Sequence, residues 1–337
     1  MSRKSVFVAG ILLIAGLAGQ AAQAHQWGCW IQRDRNVYIR NASGGSQAGA
    51  AISDWNSMTI LNITLVSSGE EIYVFNANSG PTGWAGLARI TNYSGCNIIR
   101  ATDQLNTYYI SSTSVSARGV HCQEIGHGFG LDHSNDGGCM GAGYWYDVAT
   151  HYRPVSHNVN DIGSMYANKT LEHSLVGPEV DTPRIHAFWA NHPRTLGQAT
   201  RMASEVVVAT VDYVTEGDPI EIGDEGSIPS QRVHFTVKRS QKGSLRAGDS
   251  FVLFQNGNDA NRFDEDPSYK VGHRYLLFLT PREDGTYLVV SPEGRYQVTR
   301  NGLVPAAEKG FAADLAGASL PNVLSDVERT LAEFPEQ

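Results

Sequence analysis

Beyond its first 24 residues this 337-residue chain has no apolar run approaching the roughly 20 residues that a bilayer crossing needs, so no membrane span is expected. A basic patch is also missing. The formal charge is −8, which argues against nucleic acid as a partner. Cysteine is sparse, with Cys29, Cys96, Cys122 and Cys139 all in the first half of the chain and none in the second. An even count in an exported chain suggests two disulfides, and four cysteines allow three pairings. No internal repeat and no long low-complexity tract is present, which excludes a repeat array.

What is present begins with an export address. Arg3 and Lys4 precede an apolar run from Val6 to Leu17, and Ala22-Gln23-Ala24 places small residues at the expected cleavage point. Residues 1–24 therefore read as a secretory signal peptide, too short and wrongly flanked for a span. The mature chain is expected to start at His25, lose the charges of Arg3 and Lys4, and be secreted or periplasmic. The sequons at Asn41, Asn62, Asn92 and Asn168 matter only in a host that glycosylates. Oligomeric state is left open.

Residues 25–170 read as one α+β domain. A strand is expected at Asn36–Arg40, followed by a helix with Ala48, Ala51, Ile52 and Trp55 on one face. Further strands are expected at Asn62–Val66, Glu71–Phe75 and Cys96–Arg100, then a helix starting near Ser114 and ended by Gly130. Residues 171–203, with Pro178, Pro183 and Pro193, read as a linker. Residues 204–337 read as a small all-β domain, barrel or sandwich. Its strands are expected at Glu205–Val214, Arg232–Arg239, Ser250–Gln255, Arg274–Thr280 and Tyr287–Ser291. A terminal helix from Pro321 to about Glu333 carries Leu324, Val327 and Leu331 on one face.

Residues 121–133 read HCQEIGHGFGLDH. On a helix, Gln123 and His127 are four apart and project from one face, so both can touch one ion. Glu124 is displaced by about 100°. It lies beside such an ion without binding it, where it can take a proton from an attacking water and pass it to a leaving amine. Gly130 lets the chain bend so that His133 returns as a further ligand. Three protein ligands with one open position describe a catalytic zinc site.

This pattern resembles the metzincin metalloproteases, and the matrixin-like branch most closely. Met140, in Gly138-Cys139-Met140, stands where matrixins place the methionine of the turn beneath their zinc. Asn160 to Tyr166 looks like the start of the final matrixin helix. The resemblance covers about residues 30–168. It implies a metzincin-like domain, one catalytic Zn2+ and a protein or peptide substrate. The ligands it implies are Gln123, His127 and His133, with Glu124 as general base and acid. Tyr144 and Tyr146 are weak candidates for a transition-state hydrogen bond, because Ala142 stands where some metzincins carry a tyrosine. The roughly hundred residues before the signature leave no room for a zinc-capping propeptide.

Gln123 departs from the histidine at the first position of the usual signature. Its amide oxygen reaches as far as an imidazole nitrogen but is a harder and weaker donor to zinc. Matrixin-like sequences with a Cys-Gln-Glu-x-Gly-His core are similar in this respect. A Cys122–Cys139 disulfide would tie the zinc helix to the methionine turn, closing a loop of about 17 residues worth around 3 kcal/mol. Cys29–Cys96 is then the second pair. His121 points about 120° from His127 on a continuous helix and is read as a surface or capping histidine.

Other features carry lesser readings. His25 as a first residue invites a copper site built on amine and imidazole, but no second histidine suggests itself. Asp132, Asn135 and Asp136 suit calcium in composition and are read as a solvated loop. The acidic runs 215–226 and 258–266 are likewise read as loops between strands. His151 and His157 are read as loop histidines. An extended substrate would add to an edge strand, expected at Gly86–Thr91 or Cys96–Arg100. The expected activity is zinc-dependent peptide hydrolysis. The alternative is a weak or inactive protein of the same fold that binds or inhibits.

Overall fold

The computed structural model describes residues 25–141, 151–167, 169, 185–307 and 310–334. Residues 1–24, expected to be a signal peptide, Ala142, Tyr144, Tyr146, Asn168 and residues 171–184 of the expected linker lie outside the described residues. The first half contains β1 (Ile31–Gln32), β2 (Asn36–Asn41), α1 (Ser46–Met58), β3 (Asn62–Leu65), β4 (Ile72–Ala77), β5 (Trp84–Ser94) and β6 (Asn97–Asn106). It continues with α2 (Val115–Gly128), α3 (Ser156–Met165) and β7 (Ile185–Trp189).

The strands form one mixed sheet in the order β3-β2-β4-β6-β5-β7, with β1 pairing with β6. β2, β3, β4 and β6 run parallel, while β5 runs antiparallel to β6. Parallel neighbours need crossovers, and α1 supplies one with its stripe of Ala48, Ala51, Ile52 and Trp55 buried. Trp55 lies against α2, where its indole N–H donates to the Cys122 carbonyl at 2.9 Å. Two disulfides, Cys29–Cys96 and Cys122–Cys139, link the N-terminal segment to the sheet and α2 to the following turn. Both suit an oxidising compartment. Among the described residues no helix is long and apolar enough to cross a membrane.

The second half contains α4 (Leu196–Met202), β8 (Glu205–Glu216), β9 (Ile220–Glu221), β10 (Ser227–Ile228), β11 (Ser230–Lys242), β12 (Ser250–Asn256) and β13 (Arg274–Pro281). β14 (Tyr287–Val289), β15 (Arg295–Thr299), β16 (Gly302–Pro305), α5 (Phe311–Asp314) and α6 (Leu320–Glu333) complete it. The order β14-β12-β11-β8-β13 closes on itself because β14 also pairs with β13, giving a five-stranded barrel. β8 shows the period-two logic of such a wall. Val207, Ala209 and Val211 fill the barrel, while Val206 and Val208 face a second core built with Val323, Leu324 and Val327 of α6.

Two sequence expectations need correction. Residues 185–202 are not spacer, because β7 and α4 occupy most of them. β7 is buried along its whole length. Phe188 faces the first core, whereas Ile185, Ala187 and Trp189 join a cluster with Phe254, Phe263 and Leu288 of the barrel half. The flanking prolines that suggest a linker therefore bound a strand. Cys96–Arg100 is not an edge either: β6 lies between β4 and β5. Gly86–Thr91 lies in β5, whose outer side is taken by β7.

The halves are also joined by charge. Arg100 of β6 donates to both carboxylate oxygens of Glu225 at 2.7 and 2.8 Å, and this contact holds Glu225 below the usual carboxylate range. A depressed folded-state pKa adds stability above the unfolded value of about 4.3 and loses it as pH falls through the folded value. Lowering pH from about 5 to about 3 is therefore expected to reduce the thermal midpoint less in Glu225→Gln than in wild type. Parallel acid profiles for the two proteins would remove this clamp from the account.

Candidate metal centre

Helix α2 starts at an N-cap whose side chain does the capping: Ser114 Oγ accepts from the Ala117 N–H at 3.2 Å. The helix is buried on nearly all sides from Ala117 onward. It ends because Gly130 adopts φ +92°, a left-handed conformation open to glycine, and because any β-carbon there would run into the Trp30 carbonyl. That bend returns His133 to the face of α2 that carries Gln123 and His127.

The structure brings the expected residues together. The Gln123 amide nitrogen lies 2.7 Å from His133 Nε2, and turning the amide over would place its oxygen at that point. The His127 and His133 rings are 5.1 Å apart, centroid to centroid. His127 Nδ1 lies 2.7 Å from the Leu131 carbonyl, a contact that fixes Nδ1–H as donor and directs Nε2 toward the cluster.

Sequence reasoning missed the third imidazole. His186 of β7 sits 3.8 Å from the His127 ring and 4.4 Å from the His133 ring, centroid to centroid. One nitrogen from each of His127, His133 and His186 falls within 4.8 Å of the others. Its Nδ1 contacts Glu265 Oε1 at 2.5 Å, so a carboxylate backs the ring as carboxylates commonly do behind metal-bound histidines. Loss of solvent raises the Glu265 carboxyl to about 8, which favours keeping a proton in that contact. The only trace of His186 in the sequence is a histidine inside the apolar run Ile185-His-Ala-Phe-Trp. Glu265 falls within the acidic run 258–266 that composition assigns to a loop. Three imidazoles are ligands that a transition-metal ion such as zinc, copper or nickel accepts.

Glu124 is fully buried beside this cluster. Gly86 of β5 makes room for it, since a β-carbon there would come within 2.5 Å of Glu124 Oε1. Burial drives its carboxyl well above the usual range, the charges of Asp103 and Glu265 push the same way, and the Phe188 N–H of β7 offsets only part of the rise. Met140 is buried beneath α2, where Gly126 leaves space for its sulfur. Gly126→Ala would drive a methyl into Met140 Sδ and to 3.1 Å from Trp55. The expected cost is about 1–3 kcal/mol, read as a lowered thermal midpoint; an unchanged midpoint would show that Met140 yields freely.

The remaining candidates fall elsewhere. His121 is buried rather than on the surface: Nδ1 contacts Asp103 Oδ2 at 2.9 Å and Nε2 contacts Asn76 Oδ1 at 3.1 Å. The helix turns it to the sheet, away from the cluster of His127, His133 and His186. Asp132 Oδ1 accepts the His133 N–H at 2.7 Å, and Asp136 turns toward His157 at 3.2 Å. His157 lies in α3 rather than in a loop. A cavity of ≈ 550 Å³ opens beside Gln123 and His133, walled by Phe188, Trp189, Pro193 and Phe311, with His151 also on its lining. No protein-family model matches the chain, and no curated protein matches it.

Proposed function

We propose that this chain is a zinc-dependent endopeptidase of the metzincin kind, held latent by its own strand β7. The observation that carries the reading is the convergence of His127, His133 and Gln123 beside a buried Glu124, in a chain whose signature resembles that family. Zinc, when bound there, supplies Lewis acidity that polarises a carbonyl and makes water easier to deprotonate. Glu124 does the proton work: burial raises its proton affinity, which strengthens it as a base toward water and leaves it able to pass the proton on to the leaving amine.

Latency follows from β7. It pairs antiparallel with β5, with Gly86 opposite Phe188 and Ala88 opposite His186. An extended peptide adding to β5 would need those same main-chain positions. His186 adds a third imidazole to the cluster, so β7 blocks both the binding edge and the position that water would use. Pro193 and Phe311, which lie outside β7, line the ≈ 550 Å³ cavity beside His133 and offer a substrate side chain an apolar surface once that edge is open.

Zinc-loaded full-length protein is expected to cleave casein slowly, with activity lost to a chelator and restored by zinc. The same β7 contacts favour a second reading, a binding or inhibitory protein whose cleft is permanently filled. Absence of zinc-dependent cleavage even after β7 is loosened would establish that second reading instead.

A further inference from the structure

We infer a second site, for a divalent transition-metal ion, between the N-terminal segment and helix α3, formed by His25, His157 and Asp161 with Asp136 at its rim. His157 and Asp161 are four residues apart on α3 and so share one face. His25 is delivered to that face by backbone contacts. Its carbonyl accepts from the Asp132 N–H at 2.8 Å, and the Trp27 N–H donates to the Gly130 carbonyl at 2.7 Å. None of these residues belongs to the cluster around Glu124.

The donor atoms converge. His157 Nε2 lies 2.7 Å from His25 Nδ1, and Asp161 Oδ2 lies 3.2 Å from the first nitrogen and 3.4 Å from the second. Asp136 Oδ2 is 3.2 Å from His157 Nε2. Four ligands around one ion at about 2.0–2.1 Å stand roughly 3.3 Å apart when tetrahedral. Three of the four separations match that spacing. The fourth needs His25 to swing back by about half an ångström, and its side chain is 39% exposed and able to do so.

Protons alone serve this cluster poorly. A single N–H between the two rings would satisfy the 2.7 Å contact, yet Asp161, only 6% exposed, keeps a buried Oδ2 that makes no hydrogen bond of acceptable geometry. Protonating both rings would set two cations against each other at 2.7 Å. A divalent cation uses both nitrogen lone pairs and the orphaned oxygen together. Two imidazoles with carboxylates suit zinc, copper or nickel rather than calcium or magnesium. Such an ion would fasten residues 25–27 to α3 and so brace the Gly130–Asp132 bend that presents His133.

The test is metal stoichiometry on full-length protein, using zinc and copper(II) separately as probes, with dialysis followed by elemental analysis. For at least one probe, wild type is expected to hold one more ion per chain than either His157→Ala or Asp161→Asn. His127→Ala is expected to keep that ion. If the cluster beside Glu124 bound nothing, wild type would hold a single ion that His157→Ala loses, so the two sites fail independently. Should His157→Ala not fold, Asp161→Asn and His25→Ala give the same reading from near-isosteric and terminal changes. Equal counts in wild type and these variants with both probes would overturn the site.

Discussion

Glu124→Gln is expected to lower peptide hydrolysis by roughly 10²–10⁴-fold while leaving zinc bound, because the change removes proton transfer and little else. Glutamine keeps the shape of the side chain, so the space that Gly86 provides still fits it. His127, His133 and His186 do not depend on the carboxylate for their placement: His127 is oriented by the Leu131 carbonyl and His186 by Glu265. The measurement is zinc-dependent cleavage of casein or an extended peptide, alongside zinc content. Retention of more than half the wild-type rate would show that Glu124 is not the base. Loss of zinc in the variant would instead give it a structural part in the site.

His186→Ala should act in the opposite direction. It removes the imidazole that β7 inserts beside His127 and His133, and with it the contact to Glu265. Coupling energies for such latches are about 1–3 kcal/mol, or roughly 5- to 150-fold in population. A rise of that order in cleavage rate is expected, with KM falling because the β5 edge becomes available to substrate. Zinc affinity should fall at the same time, since one nitrogen donor is lost. A double variant, His186→Ala with Glu124→Gln, should lose the gain in rate but keep the tighter binding of substrate. Unchanged activity in the single variant, with zinc in excess, would mean that β7 does not govern access.

Much of the fold is legible in the sequence because local signals agree with tertiary burial. The stripe of Ala48, Ala51, Ile52 and Trp55 predicts a helix and is the buried face of α1. Ser114 and Gly130 mark the ends of the helical segment that carries Gln123 and His127, one by capping and the other by a positive φ. The alternation in β8 predicts a strand and proves to divide the barrel interior from the α6 core. The Cys122–Cys139 and Cys29–Cys96 pairs are those expected from the resemblance.

What stays hidden depends on contacts distant in sequence. His186 becomes part of the cluster only because β7 crosses to β5, and no local pattern in five apolar-rich residues announces that pairing. Prolines near residues 183 and 193 suggest a spacer just where a short strand is buried on both faces. His121 looks exposed from helix phase relative to His127, yet the opposite face of α2 rests on the sheet, where Asp103 and Asn76 await it. The meeting of His25 and His157 spans 132 positions of chain and leaves no periodic trace.

The pairing of β5 with β7 also sets where this protein can be cut. A fragment stopping near residue 170 would leave the β5 backbone, from Trp84 to Arg89, with a row of unsatisfied N–H and C=O groups along an apolar strand. Bare edges of that kind recruit strands from neighbouring molecules. Such a fragment would be prone to self-association, and its sedimentation would say more about the severed edge than about the parent molecule.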